Sequence, residues 1–453
     1  MRMDRTSQLS RLGLFDAKVP RYTSYPPATR FGPSVDAAVA ADWAGAILPG
    51  AAISLYVHVP FCRRLCWFCA CRTQGTSTGE PVAAYVETVK AEIALLAAAL
   101  PEGVQVSRLH WGGGTPTLMS PAQMTDLSQA ILASFVLAPG AEFSVEIDPN
   151  EIDDARLDAL AAAGMNRASI GVQDFHPDIQ RVIGRDQSYE VTRAAIEGIR
   201  ARGIASLNAD ILFGLPHQNR ARMTDSVSML LSLSPDRVAL YGYAHVPWMA
   251  RRQGMIPADS LPRPEERLEL FEAARKLFVW DGYDEIGIDH FARPDDGLAR
   301  AAREGRLRRN FQGYTDDTAP TLIGLGASAI SRYPQGYAQN ASATGDYTRR
   351  VRAGELATHR GHAFTAEDLL RGRMIEALMC DFHIDTAELV RDYAADRAEV
   401  GRMFREATEA FPGMIRVSEA GLEVPPESRP LTRMIARAFD AYEMAPAGHS
   451  SAI

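Results

Sequence analysis

Most of the recognisable chemistry of this chain is concentrated in one short segment, Cys62-Arg63-Arg64-Leu65-Cys66-Trp67-Phe68-Cys69-Ala70-Cys71. Thiolates are the usual protein ligands of iron–sulfur clusters and of structural zinc. Structural zinc wants four closed ligands, commonly supplied as two close pairs separated by a finger-sized loop. Cys62, Cys66 and Cys69 instead follow C-x3-C-x2-C, which suits three corners of a cubane with the fourth iron open. Spacing alone leaves zinc as the alternative. The remaining cysteine, Cys380, is expected to be a buried helical residue with no ligand role. A second segment, Trp111-Gly112-Gly113-Gly114-Thr115-Pro116-Thr117, has three consecutive glycines. Such a run lets backbone approach a ligand closely and aim amides at it, although on its own it reads equally well as a turn.

These segments need a scaffold, and the hydrophobic pattern supplies one. Apolar, β-branched runs are expected as strands at Ile53–Val59, Val106–Trp111, Phe143–Ile147, Arg167–Gly171, Leu207–Phe213 and Val238–Tyr243. Helical periods follow the first five at Pro81–Leu100, Pro121–Phe135, Ile152–Ala163, Ser188–Arg202 and Arg222–Ser232. This alternation predicts an α/β fold with a parallel sheet and helices outside it, a full or partial (β/α) barrel. Glu146, Gln173, Asp210 and Ala244 fall at or near successive strand ends, so a barrel would gather them on one rim with the cysteine loop and Gly112–Gly114. A further helix is expected at Glu265–Trp280 and a further strand at Tyr283–Ile288.

Three parts are expected: an N-terminal arm over residues 1–50, a catalytic domain over 51–358, and a mainly helical domain over 359–453. Pro20-Arg21-Tyr22-Thr23-Ser24-Tyr25-Pro26-Pro27 has too many prolines and hydroxyls for a helix and reads as an ordered arm. Thr365–Phe382 opens the C-terminal domain, which reaches about Met444.

Composition narrows the class. The chain has 453 residues, 46% hydrophobic and 23% charged, which is an ordinary globular balance. A net charge of -8 argues against a broad nucleic-acid surface. The apolar stretch Trp43–Val57 is broken by Pro49 and Gly50 and is too short to span a bilayer. Met1–Gly13 lacks the apolar core of a signal peptide, so a cytoplasmic location is expected. Five cysteines, four of them clustered, do not form a disulfide framework in that setting.

The cysteine spacing, with aromatic Phe68 before Cys69 and the glycine segment one βα unit later, resembles the radical S-adenosylmethionine superfamily. Further segments narrow the likeness. Pro20–Pro26, Tyr56-Val57-His58-Val59-Pro60-Phe61-Cys62, His110–Thr117, Gly171-Val172-Gln173-Asp174-Phe175, Tyr243-Ala244-His245, Asp289-His290-Phe291-Ala292-Arg293-Pro294-Asp295-Asp296 and Arg309-Asn310-Phe311-Gln312-Gly313-Tyr314 resemble the bacterial oxygen-independent coproporphyrinogen III oxidase family. Cys71 is a further mark of that family. A related haem-binding chaperone, the alternative reading, typically lacks a cysteine there.

The resemblance implies a [4Fe–4S] cluster on Cys62, Cys66 and Cys69, and two S-adenosylmethionine molecules. Tyr56, Gly113, Glu146 and Ile330 match positions for the molecule on the cluster. Phe68, Gly114, Thr115, Gln173, Arg185, Asp210 and Ala244 match positions for the second. Tyr56, Glu146, Phe311 and Gln312 are the implied catalytic positions, with the arm, the Phe311–Gln312 loop and the helical domain as candidate lids. The implied reaction converts two propionates of coproporphyrinogen III to vinyl groups, giving protoporphyrinogen IX for haem. A 5′-deoxyadenosyl radical takes hydrogen from each propionate β-carbon, after which carbon dioxide and an electron leave. A flavodoxin or ferredoxin as electron donor, a final acceptor of unknown identity and a monomeric state complete the expectation, with neither nucleic acid nor membrane as partner.

Overall fold

The computed structural model describes residues 5–443 and 452–453, so residues 1–4 of the expected arm and 444–451 of the expected C-terminal domain lie outside the described residues. Strands β1 (Ala52–Val59), β2 (Gln105–Gly113), β3 (Val136–Ile147), β4 (Arg167–Gln173), β5 (Ser206–Phe213) and β6 (Arg237–Gly242) form where the apolar runs predict them. They pair side by side and parallel in chain order. Intervening helices cross over at Glu80–Ala99, Pro121–Ser134, Asp154–Ala162, Tyr189–Ala201 and Arg220–Ser232. β1 is buried along nearly its whole length, as expected of a strand covered on both faces. The helix starts are encoded locally. Ser120, for example, accepts from the Gln123 amide while the Gln123 side chain accepts from the Ser120 amide.

The sheet continues beyond this parallel core. After β6 it adds β7 (Asp284–Ile286) and β8 (His290–Ala292). On the other side of β1 it adds β9 (Leu322–Leu325), β10 (Ile330–Tyr333), β11 (Gly336–Asn340) and β12 (Thr358–Ala363). The order is β12-β11-β10-β9-β1-β2-β3-β4-β5-β6-β8-β7, and the two end strands are not paired to each other. The barrel is therefore partial. β9 runs parallel to β1, whereas β8 and β10 run antiparallel to their inner neighbours.

Several details differ from expectation. β3 starts at Val136, seven residues before Phe143, because Pro139 and Gly140 disguise its first half. The approach to β1 contains helices at Arg5–Arg11 and Ala37–Gly45. Strands β9–β12 have no counterpart in the periodicity reading, and the helical C-terminal part contains a small three-stranded sheet at His383–Asp385, Arg416–Val417 and Gly421–Glu423. Helix Ala366–Asp381 is capped by Thr365 and ends where Phe382 turns left-handed. It holds Cys380 at 3% exposure.

Two large apolar cores result. One lies between the sheet and its helices. The other joins Met374, Leu378, Phe404 and Phe439 of the C-terminal part to Leu14, Val19, Tyr22 and Tyr25 of the arm. Burying those arm residues is what orders the Pro-rich segment. Polar bonds reinforce it: the Tyr22 hydroxyl donates to Asp440 at 3.0 Å, and Arg21 Nη2 donates to the Gly242 carbonyl at 2.6 Å. Among the described residues no helix is long and apolar enough to cross a membrane.

Candidate active site

β1 delivers the cysteine loop. After Pro60, Phe61–Cys62 pairs with Gln74–Gly75 and closes the intervening loop at its base. The Trp67 amide donates to the Ile183 carbonyl at 2.9 Å, tying the loop to the segment after β4. Buried Gln253 ties it to the segment after β6, donating to the carbonyls of Phe68 (2.7 Å) and Ala244 (2.9 Å). Two positions expected to share a ligand, Phe68 and Ala244, are thus joined by a residue that no motif marked.

The three thiols act on one another electrostatically. Burial pushes Cys62 up to about 11, opposed by a hydrogen bond from Thr115 and increased by Cys69 and Cys66. Burial also raises Cys66, while Arg185 opposes the shift. Cys69 is held below the ordinary thiol value, chiefly by hydrogen bonding from Cys71, whose amide lies 3.4 Å from the Cys69 sulfur. Among the described residues no three His, Cys, Asp or Glu side chains converge on one metal-ion position. The chemistry of the donor set fits an iron–sulfur cluster: three soft ligands carried on one loop, with cationic Arg185 reaching the Cys66 sulfur at 3.6 Å.

The glycine segment completes the next strand end. Gly113 has φ +117°, a conformation that favours glycine, and its amide donates to Glu146 Oε2 at 2.9 Å. The Gly114 amide donates to the Val59 carbonyl at 2.7 Å, clamping β2 to the root of the cysteine loop. Burial works to raise the Glu146 pKa, but bonding to His110 and Gly113 outweighs it and holds the carboxyl below its usual range. Tyr56 stacks on His110 with ring centroids 5.6 Å apart and bonds His58 Nδ1 at 2.9 Å. Tyr56 also pairs in register with Gly324, a residue close to the Ile330 carbonyl. Tyr56, Gly113, Glu146 and Ile330 therefore stand in one neighbourhood.

The second set gathers around β4 and β5. The register between these strands is irregular between Gly171 and Gln173, and Gln173 is left-handed at φ +69°. A bulge with a strained non-glycine residue re-aims the side chain at the strand end. The next residue, Asp174, is fully buried and accepts from Gln218 (2.7 Å) and Ser226 (3.0 Å), fixing that turn. Arg185 lies in the loop between helices Pro177–Val182 and Tyr189–Ala201 and is only 11% exposed, so it is not a solvated helix residue. It donates to the Gly171 carbonyl at 2.8 Å and to Gln187 at 3.0 Å, and it lies 3.3 Å from Asp148. Asp210 accepts from Asn208 at 2.9 Å, and burial pushes its pKa up to about 6.

Phe311 and Gln312 are placed differently. They form the tip of a hairpin between Arg308–Asn310 and Gly313–Thr315. Phe311 packs edge-on against Tyr337 at 5.3 Å, and Gln312 is exposed. Among the described residues neither hydrogen-bonds Tyr56 or Glu146. The hairpin does approach the rim at Gly313, where an added Cβ would lie 3.5 Å from the Tyr241 hydroxyl. His58, His110, Tyr241 and the Asp289–His290 pair are further rim residues, to which the sequence motifs assign no role. The alternating aromatic and histidine residues on β1 and β2 were the available signal for the first two.

Comparison with known proteins agrees with this geometry. The model of the radical SAM superfamily matches residues 56–230, the stretch from the root of the cysteine loop into the helix after β5. A three-cysteine loop on the rim of a partial (β/α) barrel is the arrangement that defines this class, whose chemistry uses a [4Fe–4S] cluster and S-adenosylmethionine. The chain is 65% identical over 451 residues to the oxygen-independent coproporphyrinogen III oxidase of Paracoccus denitrificans, covering 100% of both proteins. It is 39% identical to the enzyme of that name from Escherichia coli strain K12, covering 93% of each. A solved structure of coproporphyrinogen III oxidase (HemN) from Escherichia coli, described as a radical SAM enzyme, superposes with a TM-score of 0.89 at 37% identity, over 94% of this chain and 100% of that one. The chain belongs to the oxygen-independent coproporphyrinogen III oxidase family. Neither the chaperone nor the zinc alternative is favoured.

Proposed function

We propose that this protein converts coproporphyrinogen III to protoporphyrinogen IX without oxygen, with Cys62, Cys66 and Cys69 holding the cluster and two S-adenosylmethionine molecules bound at the rim. The observation that carries the reading is the convergence of the cysteine loop, the Gly113–Glu146 contact and the Arg185–Gln173–Asp210 group on successive strand ends of one barrel rim. When bound, the cluster and S-adenosylmethionine supply an electron and the 5′-deoxyadenosyl group that accepts the hydrogen from a propionate β-carbon.

The chain's own residues bind and orient. Gly112–Gly114 offer backbone approach beside the thiols, and Glu146, held ionised by Gly113 and His110, can accept from an ammonium or from ribose hydroxyls. Tyr56, stacked on His110, closes the same pocket. Asp210 can accept ribose hydroxyls, while Arg185 can pair a methionine carboxylate if that group displaces Asp148. Gln173 is aimed at the rim by the bulge. Removal of the β-hydrogen and loss of carbon dioxide from a propionate leave a vinyl group and one electron, so an acceptor outside the chain is needed on each of two rings. An acidic carrier such as flavodoxin or ferredoxin fits as donor, since the loop from Cys62 to Gly79 has three arginines and no carboxylate. The protein acts as a cytoplasmic monomer in this reading. The division into an arm (1–50), a catalytic domain (51–358) and a C-terminal domain (359–453) is kept in this reading, with the second boundary falling inside β12 (Thr358–Ala363), which pairs with the barrel sheet.

The test is anaerobic turnover with reductant, S-adenosylmethionine and coproporphyrinogen III. Formation of 5′-deoxyadenosine, methionine, carbon dioxide and protoporphyrinogen IX is expected. Tight haem binding without decarboxylation would replace this reading with the chaperone.

A further inference from the structure

The surface around the cysteine loop carries charge opposite to that of the chain as a whole. Two segments meet there: the loop itself, residues 62–79, and residues 245–258, which follow β6. Together they hold Arg63, Arg64, Arg72, Arg251 and Arg252 and no Asp or Glu, in a chain of net charge -8. Arg252 joins the two, donating to Thr73 Oγ1 at 2.9 Å and to the Cys71 carbonyl at 3.4 Å. Buried Gln253 locks the join from beneath. Besides holding the Phe68 and Ala244 carbonyls, its side-chain oxygen accepts from the Val246 amide at 2.5 Å. The short helical turn Arg251–Met255 is thereby fixed on the loop.

Arg63, Arg64, Arg72 and Arg251 are exposed, and Arg63 has Glu151 as a neighbour at 3.7 Å. Apolar side chains stand among them. Trp248 is 53% and Met249 64% exposed, and Met255 is exposed on the same segment. The Lys18 ammonium of the arm lies over the Trp248 ring at 5.9 Å. A single exposed apolar residue is ordinary, but tryptophan and methionine set among arginines have the composition of a protein-binding face. This face is built on the loop that carries the thiols, and Arg252 lies within electrostatic reach of Cys62 and Cys69.

We infer that the face formed by Trp248, Met249, Arg72 and Arg251 docks an acidic one-electron carrier protein. This rests on the function proposed above, which draws one electron for each S-adenosylmethionine cleaved. The transfer balances without a bond or a proton: the carrier loses one electron and the cluster gains it. A carrier seated on the loop has a short path to a group held by its thiols. The basic face attracts an acidic partner that the net negative charge of the remainder repels, so the encounter is oriented as well as hastened. Contacts of this kind are small and transient, and a few apolar residues ringed by charge suffice.

Flavodoxin, an acidic carrier, is the probe. Its binding to the full-length reconstituted protein is measured by biolayer interferometry for wild type, the double variant Arg72→Glu/Arg251→Glu, Trp248→Ala, and Arg397→Glu on the C-terminal helix Arg397–Ala410. Wild type is expected to bind, with affinity falling as salt rises. The double charge reversal should weaken binding about tenfold or more and flatten the salt dependence. Trp248→Ala should weaken binding with the salt dependence kept, and Arg397→Glu should match wild type. Cluster absorbance, and 5′-deoxyadenosine formation driven by saturating dithionite, should be unchanged in every variant, because a small reductant needs no docking face. Absence of flavodoxin binding by wild type, or equal affinity in wild type and the double variant, would overturn the assignment. Dithionite-driven turnover would then still support the proposed reaction, and its absence from wild type would overturn that as well. A raised KM for coproporphyrinogen III in the dithionite assay would assign the arginines to steering the tetracarboxylate, and would also overturn the docking face.

Discussion

Replacing Gly114 by alanine should uncouple folding from catalysis. A Cβ at this position would lie 2.5 Å from the Phe61 carbonyl oxygen and 2.9 Å from the carbonyl carbons of Phe61 and Pro60. Ordinary carbon contacts sit near 3.5 Å, so the two backbones must part by roughly 0.5–1 Å. No flexible side chain can yield, because all three atoms are main chain. The segment that must move leads directly into Cys62, and the Gly114–Val59 bond resists the movement. Overpacking of this kind costs about 1–3 kcal/mol, which a chain of this size tolerates. A displacement near 1 Å at a reacting centre costs on the order of a hundredfold in rate. Gly114→Ala should therefore fold, take up iron and sulfide, melt slightly lower than wild type, and form 5′-deoxyadenosine about a hundredfold more slowly. Gly79→Ala is the control, since nothing lies within 4 Å of its added Cβ and its φ of -83° suits any residue. Gly114→Ala turnover within threefold of wild type would show that the strand end has slack and refute the argument.

Cys62→Ser, Cys66→Ser and Cys69→Ser should each lose the [4Fe–4S] absorbance after anaerobic reconstitution, whereas Cys71→Ser should retain it; a Cys71 variant without cluster signal would mean the ligand set is wrong. Arg185→Ala removes a charge-assisted group worth about 1.5–3 kcal/mol, so equilibrium dialysis should show one of two S-adenosylmethionine equivalents bound ten- to a hundredfold more weakly, with the cluster intact. Glu92, 2% exposed and accepting from Gly326, Asn340 and Tyr347, has its pKa raised by burial from 4.5 to about 7. A raised carboxyl makes the folded state hold its proton longer than the unfolded chain does. The stabilisation is complete below pH 4.5 and is lost as pH rises to 7, by about 3 kcal/mol from the shift alone. Glu92→Gln cannot ionise and should flatten that part of the melting-midpoint profile; a profile parallel to wild type between pH 5 and 8 would contradict the shift.

The amino-acid sequence alone determined the six βα units, the cysteine loop and the glycine segment. Strand and helix periods, caps and ligand spacings are properties of a few neighbouring residues, so the parallel core appeared within a few residues of expectation except at the start of β3. Strands β9–β12 escaped because they are four to six residues long and are held by pairing with β1 and with one another. Their own hydrophobic pattern carries too little signal. The thiols and strand-end residues could be assigned to a common rim because their order along the chain is their order around the barrel. Tertiary structure decided what shares no such order. Gln253 joins Phe68 to Ala244, and Arg185 reaches Cys66 from 119 residues away. Arg309 meets the arm 288 residues earlier, and Arg433 meets it 414 residues earlier. Those contacts exist because the arm and the C-terminal helices bury their apolar faces together, a long-range packing that no local pattern encodes.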